Sequence, residues 1–267
     1  MSSSVLPAEH ATTGDFAAVA SHLARRSILM VARVPSAFLP SLVMPVFFIV
    51  AFTGVYASIV LVPGFPTDNI DSWFVPLAAV QGAVFSGVTV GGGVVRDIET
   101  RFYDRLLLAP VSRGALVAGP LLGAIGRAQP TVTVTLIIGV LLGARIPGGL
   151  PGLVVFYLIC TGVALLAGAW ALGLSYRFQN QQAAAPGQFG FQILVFLSAS
   201  QVPLAMMTGW LHTVAKYNPF TYILEAARAG FVGAVTWSAV WAGFFWVVIL
   251  CVLTIWFARR QIRRLIP

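Results

Sequence analysis

Six long apolar stretches alternate with short polar or Gly/Pro-rich breaks along this chain. They run over about 37–61, 73–95, 123–144, 151–175, 189–207 and 236–257. Each is close to the ~20 residues a helix needs to cross ~30 Å of hydrocarbon. The breaks suit helix ends: Pro63-Gly64-Phe65-Pro66 after the first stretch, Arg145-Ile146-Pro147-Gly148-Gly149 after the third, and polar residues from Arg177 to Gln188 after the fourth. The pattern predicts an all-α integral membrane protein with six spans. Two segments depart from it. Over 14–34, Phe16, Val19, Leu23, Met30 and Val34 recur at near-helical spacing, while Asp15, His22, Arg25, Arg26 and Arg33 fill other positions. That is the pattern of an amphipathic helix lying in the membrane interface. Between 208 and 235 the chain is only moderately apolar, and 219–232 is too short to cross. It reads as a short non-spanning outer helix after span five. The chain thus divides into a cytoplasmic N-terminal segment, 1–34, carrying the interfacial helix, and a transmembrane domain, 35–267.

Composition supports the membrane reading. Of 267 residues, 58% are hydrophobic and 9% charged, against about 25% charged in soluble domains. That is too few charges to cover a water-facing surface and too much apolar content for intrinsic disorder. Cys160 and Cys251 lie in apolar runs and read as small buried hydrophobes, not a disulfide framework. The formal net charge is +8. In a soluble protein that would raise nucleic acid as a partner, but here the basic residues sit between apolar runs and no nucleic acid is expected. One side of the membrane receives Arg25, Arg26, Arg33, Arg96, Arg101, Arg105, Arg113, Arg127, Arg177, Arg259, Arg260, Arg263 and Arg264. The other receives Arg145, Lys216 and Arg228. By the positive-inside rule both termini are cytoplasmic, which agrees with an even number of spans in the cell membrane.

Several function classes lack their residues. Spans one, two, four, five and six contain no Asp, Glu, His, Lys or Arg, so a proton-coupled carrier has no titratable relay. Arg127, near the end of span three, is placed to snorkel to the interface. A P-loop needs Gly-x-x-x-x-Gly-Lys-Ser/Thr, yet the one lysine is Lys216, in Val-Ala-Lys-Tyr. Gly91-Gly92-Gly93 reads as a helix-packing surface. His10, His22 and His212 are scattered, and no metal-binding or catalytic constellation is expected.

Two segments are informative. Residues 96–113 mix charges with apolar anchors: Phe102, Leu106 and Pro110 mark one face, and Arg101, Asp104 and Arg105 lie on others. A short helix of this kind suits docking into a partner's groove, and a solvated charged loop fits the same residues. The second runs Phe196-Leu197-Ser198-Ala199-Ser200-Gln201-Val202-Pro203, then Trp210-Leu211 and Asn218-Pro219. Pro203 and Pro219 break helices, Trp210, Tyr217 and Tyr222 suit an interfacial belt, and Glu225 and Arg228 stand three apart, able to pair. A gate and a plain set of belt residues and turns are both open.

In this order and spacing, Asp104-Arg105-Leu106, Pro110-Val111-Ser112-Arg113, the Phe196–Pro203 run, Trp210-Leu211, Asn218-Pro219 and Arg228 resemble the type 2 permeases of ABC transporters, close to daunorubicin/doxorubicin-resistance exporters. The resemblance covers nearly the whole chain. It departs where the family commonly has Glu-Gly before the acidic-Arg pair; here Thr100-Arg101 stands there. It departs again before the tryptophan, where Met207-Thr208-Gly209 replaces the common Met-Pro. The resemblance implies a permease subunit that pairs with a second permease above two cytoplasmic ATPase subunits. ATP and Mg would be bound by the ATPase, with no cofactor in this chain. It assigns Asp97, Glu99, Arg101, Phe102, Asp104, Arg105, Leu106, Pro110 and Arg113 to an ATPase-coupling helix over 97–113. It assigns Phe196, Ser198, Pro203, Trp210, Asn218, Pro219, Glu225 and Arg228 to an outer gate region. The cargo would be an amphipathic drug, a lipid or a lipid-linked glycan. A secondary carrier or channel without an ATPase is the alternative; a membrane-embedded enzyme needs a clustered His/Asp/Glu set that is not found.

Overall fold

The computed structural model describes residues 13–33, 35–103, 106 and 113–264. Helix α1 is Thr13–Arg33, α2 Pro35–Val55, α3 Ile70–Glu99, α4 Arg113–Leu142, α5 Gly149–Phe178, α6 Gln181–Phe196, α7 Gly209–Tyr217, α8 Pro219–Val232 and α9 Trp237–Ile262. Single turns of 3-10 helix occupy Ala57–Leu61 and Leu204–Met206. Strands are absent among the described residues. Four helices, α3, α4, α5 and α9, are long and apolar enough to cross a membrane. Helix α2 adds a shorter apolar stretch, Ser41–Val55.

Helix α5 is the centre of the bundle. Phe156, Ile159, Cys160, Val163, Ala164, Leu166, Ala167 and Leu172 on it are fully buried, and α3, α4, α8 and α9 surround it. Small residues set how closely α3 approaches. A methyl group on Gly87 would stand 2.5 Å from the Ala164 carbonyl oxygen, and one on Gly91 2.8 Å from the Ser175 hydroxyl. This small-xxx-small spacing brings backbones together where apolar lipid gives side chains no reason to associate. Gly91 therefore packs as expected, whereas Gly92 and Gly93 have open space before them.

Helix α1 is built into the bundle. It lies along α4, where Gly119 and Gly123 leave room for Leu23 and Ser27; a methyl on either glycine would meet those side chains at 2.6 and 2.5 Å. Arg127 is half-buried in this contact. Its Nε donates to the Ser27 carbonyl at 2.9 Å and its guanidinium also reaches the Ser27 hydroxyl. Instead of snorkelling, Arg127 clasps α1, because the carbonyl and hydroxyl supply acceptors inside the protein.

The bundle has two ends. One collects Val90, Val94, Tyr103, Leu116, Tyr176, Ala258 and Ile262 in a satellite core, beside the stretches that carry Arg25, Arg26, Arg96, Arg101, Arg177, Arg259 and Arg260. The other joins the loops around 57–72, 142–149 and 197–237. There Asn69 caps α3 by accepting from the Ser72 amide and donates to the Gly143 carbonyl at 2.8 Å.

Three expectations change at this level. The stretch expected to be span five, 189–207, is not one helix. Helix α6 starts within the polar segment at Gln181 and stops at Phe196, so most of 197–207 is irregular. The stop has a cause: the Ser198 hydroxyl donates to the Val195 carbonyl, and the Asn218 amide donates to the Leu194 carbonyl at 2.7 Å. The last carbonyls of α6 are thus satisfied from outside, as a helix end requires. The short outer helix expected over 219–232 is α8, but it is not alone: α7 precedes it, and the two are broken at Asn218-Pro219, where Asn218 caps α8 by accepting from Phe220. Span two extends to a 30-residue helix that runs through Glu99, so Asp97 and Glu99 close α3 and do not open a separate coupling helix.

Candidate functional site

At the arginine-rich end, α3 finishes on Thr100, whose amide bonds the Arg96 carbonyl, and Arg101 follows with φ 58°. A residue in the left-handed region just past a helix end is a common stop, usually glycine. Thr100-Arg101 is the pair that replaces the family's Glu-Gly. Arg101 thus holds a backbone conformation that glycine adopts without strain. Phe102 and Tyr103 then turn back toward the bundle, with Leu106 packed on the satellite core. Asp104, Arg105 and Pro110 lie outside the described residues, as does the side chain of Arg113, the first residue of α4.

Two anchors hold this turn. The Arg26 guanidinium on α1 forms a bidentate pair with Asp97, at 2.8 and 2.5 Å. It also lies 4.5 Å over the Phe102 ring. Arg26 is partly buried, and hydrogen bonding to the Asp97 carboxylate holds its pKa above the ordinary value. Beside it, the Tyr103 hydroxyl meets the Tyr176 hydroxyl of α5 at 2.6 Å, and Tyr176 donates to the Leu116 carbonyl of α4 at 3.1 Å. Tyr103 is buried and its pKa is pushed up by that burial. Asp97 and Phe102 are thus brought together, but by Arg26. Glu99 and Arg101 face outward, exposed. Arg26, Tyr103 and Tyr176 were not singled out from the sequence; the one usable signal was Arg26 standing in an otherwise amphipathic helix.

At the opposite end, Arg228 on α8 is 2% exposed. It is satisfied by three carbonyls: Nε donates to Trp73 at 3.2 Å, Nη1 to Ala199 at 2.7 Å, and Nη2 to Ser200. Its guanidinium lies 3.9 Å from the Trp73 ring centre. Burial draws its pKa down, and a guanidinium keeps its proton in a protein. The pairing expected with Glu225 is replaced by these carbonyls, which lie where the side chain can reach all three at once. Glu225 is half-buried and makes no hydrogen bond or ion pair with a described residue; desolvation raises its pKa and Arg228 partly opposes that.

The same segment is tied at further points. Trp73 Nε1 donates to the Gln201 carbonyl at 2.9 Å and the Tyr56 hydroxyl bonds the Gln201 side chain at 2.8 Å. Thr221 bridges the Ala199 amide and the Ala215 carbonyl. Of the expected outer residues, Ser198, Asn218 and Arg228 make hydrogen bonds here, Pro219 opens α8, and Pro203 precedes the 3-10 turn. Phe196 packs against Phe48 at 6.3 Å. Trp210 is 70% exposed and stands apart from the others. Trp73 and Tyr56 were not anticipated; they come from helix ends that periodicity does not mark.

Residues 19–232 match the family described as "ABC-2 type transporter". Among curated relatives, the daunorubicin resistance ABC transporter permease protein DrrB1 of Streptomyces coeruleorubidus is 27% identical over 234 residues, covering 85% of this chain and 77% of that protein. The probable doxorubicin resistance ABC transporter permease protein DrrC of Mycobacterium tuberculosis is 28% identical over 182 residues, covering 67% of this chain and 65% of that protein.

Proposed function

The chain belongs to the ABC-2 type transporter family, and from that premise we propose that this multi-pass membrane subunit is the permease of an ATP-driven exporter. ATP and Mg are bound by a separate cytoplasmic ATPase. The permease pairs with a second copy or a related permease. It crosses the membrane six times, with α2 and α6 completing the four long helices, and both termini are cytoplasmic. The segment from Asp97 to Arg113 meets the ATPase, and the cargo is an amphipathic drug or lipid, in keeping with the resistance that names the relatives.

The observation that carries this reading is the anchored turn at 100–103. A loop that merely linked two spans has no need of a bidentate arginine on one side and a buried tyrosine pair on the other. A loop that receives force from a partner does, since the force must reach α1, α4 and α5 without being lost in a floppy joint. The test is co-purification with a cytoplasmic ATPase of the same host, then charge reversal at Asp104 and Arg105. Assembly and transport-coupled ATP hydrolysis are expected to fall together. If both survive the double reversal, or if a cysteine at Ser112 labels from outside the cell, the reading fails.

A further inference from the structure

A cavity of about 600 Å³ lies at the end of the bundle opposite the arginine cluster, between the 197–206 segment, α7, α8 and the start of α9. That volume is within the range of small-molecule sites. Most of its wall is apolar, including Trp73, Pro203, Leu204 and Val232. Besides the Trp73 indole, whose N–H already bonds Gln201, four side chains carry charge or hydrogen-bonding capacity: Glu225, Arg228, His212 and Thr236. Arg228 is already committed to three carbonyls and the Trp73 ring. Glu225 is the reverse case. Its carboxylate accepts only, it is half out of water, and no described residue donates to it. A half-buried carboxylate that makes no ion pair or hydrogen bond with a described residue, set in an apolar-walled cavity, attracts a cation or donor and repels an anion, and the walls suit hydrocarbon. An anion would meet Glu225 with Arg228 occupied elsewhere. A neutral apolar occupant would leave the carboxylate unpaired.

We propose that this cavity binds an amphiphile carrying an ammonium group, with the cation on the Glu225 carboxylate and the apolar body against Trp73, Pro203 and Leu204. His212 supplies a polar edge at the rim. The inference rests on the export reading only in taking the occupant for cargo; binding itself is independent of ATP. The ammonium has two possible sources, a soluble cationic amphiphile or the phosphatidylethanolamine headgroup of the surrounding leaflet.

The test uses the full chain in phosphatidylglycerol nanodiscs without ATP. Ala234, exposed on the cavity wall, is changed to cysteine and its labelling by a polar maleimide is timed; Cys160 and Cys251 are buried. Trimethylammonium-diphenylhexatriene is expected to slow labelling at least about fivefold, and uncharged diphenylhexatriene to leave it unchanged. Glu225→Gln should raise the half-protecting concentration roughly tenfold, the loss expected for one charge-assisted contact, and Glu225→Asp should keep part of the protection. Equal labelling of the two forms without probe shows that Glu225→Gln leaves the cavity intact. Equal protection by both probes, protection by neither, or full protection in Glu225→Gln overturns the proposal. Adding phosphatidylethanolamine separates the sources. Slowed labelling that Glu225→Gln relieves identifies the headgroup, and unchanged labelling identifies the soluble amphiphile. An ATPase that fails to co-purify while protection persists refutes export and leaves the site standing.

Discussion

Replacing Arg228 with methionine keeps most of the side-chain volume and removes everything polar it does. Three carbonyls, on Trp73, Ala199 and Ser200, lose their donor. Each newly unsatisfied acceptor costs about 1–3 kcal/mol. The adjoining cavity lets water reach part of the site, so the low end applies and the three together cost about 3 kcal/mol. Loss of the cation over Trp73 adds about 1 kcal/mol. The total, about 4 kcal/mol, corresponds to a fall of roughly 8–16 °C in Tm for a chain of this size. Arg228→Lys should fall between, since one ammonium keeps the charge but cannot reach three divergent acceptors. The assay is thermal unfolding in detergent, followed by loss of the monodisperse peak. Limited proteolysis should show new cleavage between 199 and 208, the stretch Arg228 holds. A methionine variant within about 2 °C of the parent, or a lysine variant indistinguishable from it, would refute the assignment of Arg228 as the tie for this segment.

Three other changes test other parts of the fold. Gly87→Ala puts a methyl 2.5 Å from the Ala164 oxygen and 3.0 Å from the Gly168 nitrogen. It should cost about 1–3 kcal/mol in thermal stability, whereas Gly92→Ala, with nothing within 4 Å, should gain about 0.5–1 kcal/mol; equal effects would sink the packing argument. Arg26→Ala and Asp97→Ala, taken as a double-mutant cycle, should show a coupling of about 0.5–1 kcal/mol. The value is discounted because the Arg26 side chain is 40% exposed, and it should shrink in 1 M salt. Arg101→Gly should raise stability by about 1 kcal/mol by relieving the left-handed backbone, read as a higher Tm; a lower one would mean that the arginine side chain outweighs its backbone cost.

The helices that periodicity marks best are those the structure draws most nearly as expected. The spans read at 73–95 and 151–175 lie inside α3 and α5, and that read at 236–257 lies in α9 apart from its capping residue Thr236, because long apolar runs closed by Gly, Pro or Arg leave few alternatives. The fifth span was misplaced because hydropathy cannot tell a helix from an irregular apolar strip. What ends α6 at Phe196 is Asn218, twenty-two residues later, a partner no local window contains. Arg228 shows the same limit. Its spacing from Glu225 was legible, but the three carbonyls that outcompete Glu225 come from α3 and from the irregular segment after α6. The 96–113 segment stood out by its mix of charges and apolar anchors, yet Arg26, which binds Asp97 from 71 positions away, was visible only as one arginine among several on α1. Local chemistry was legible where neighbours in sequence supply the partner, and hidden where the fold supplies it.

Helix α5 has a further property. At one tip Tyr176 shares its hydroxyl with Tyr103; at the other, the Gly148 amide just ahead of its first residue bonds the Gly230 carbonyl of α8 at 2.9 Å, with no side chain between them. Its 30 residues span about 45 Å, and past Pro151 no proline interrupts them. Such a member is a long, uninterrupted strut tied to a neighbour at each tip. A tilt of about 5° shifts each tip by about 2 Å in opposite directions. Were α5 to tilt as one body in this way, a displacement of its Tyr176 tip would be matched at α8, on the far rim, by one of opposite sign and similar amplitude.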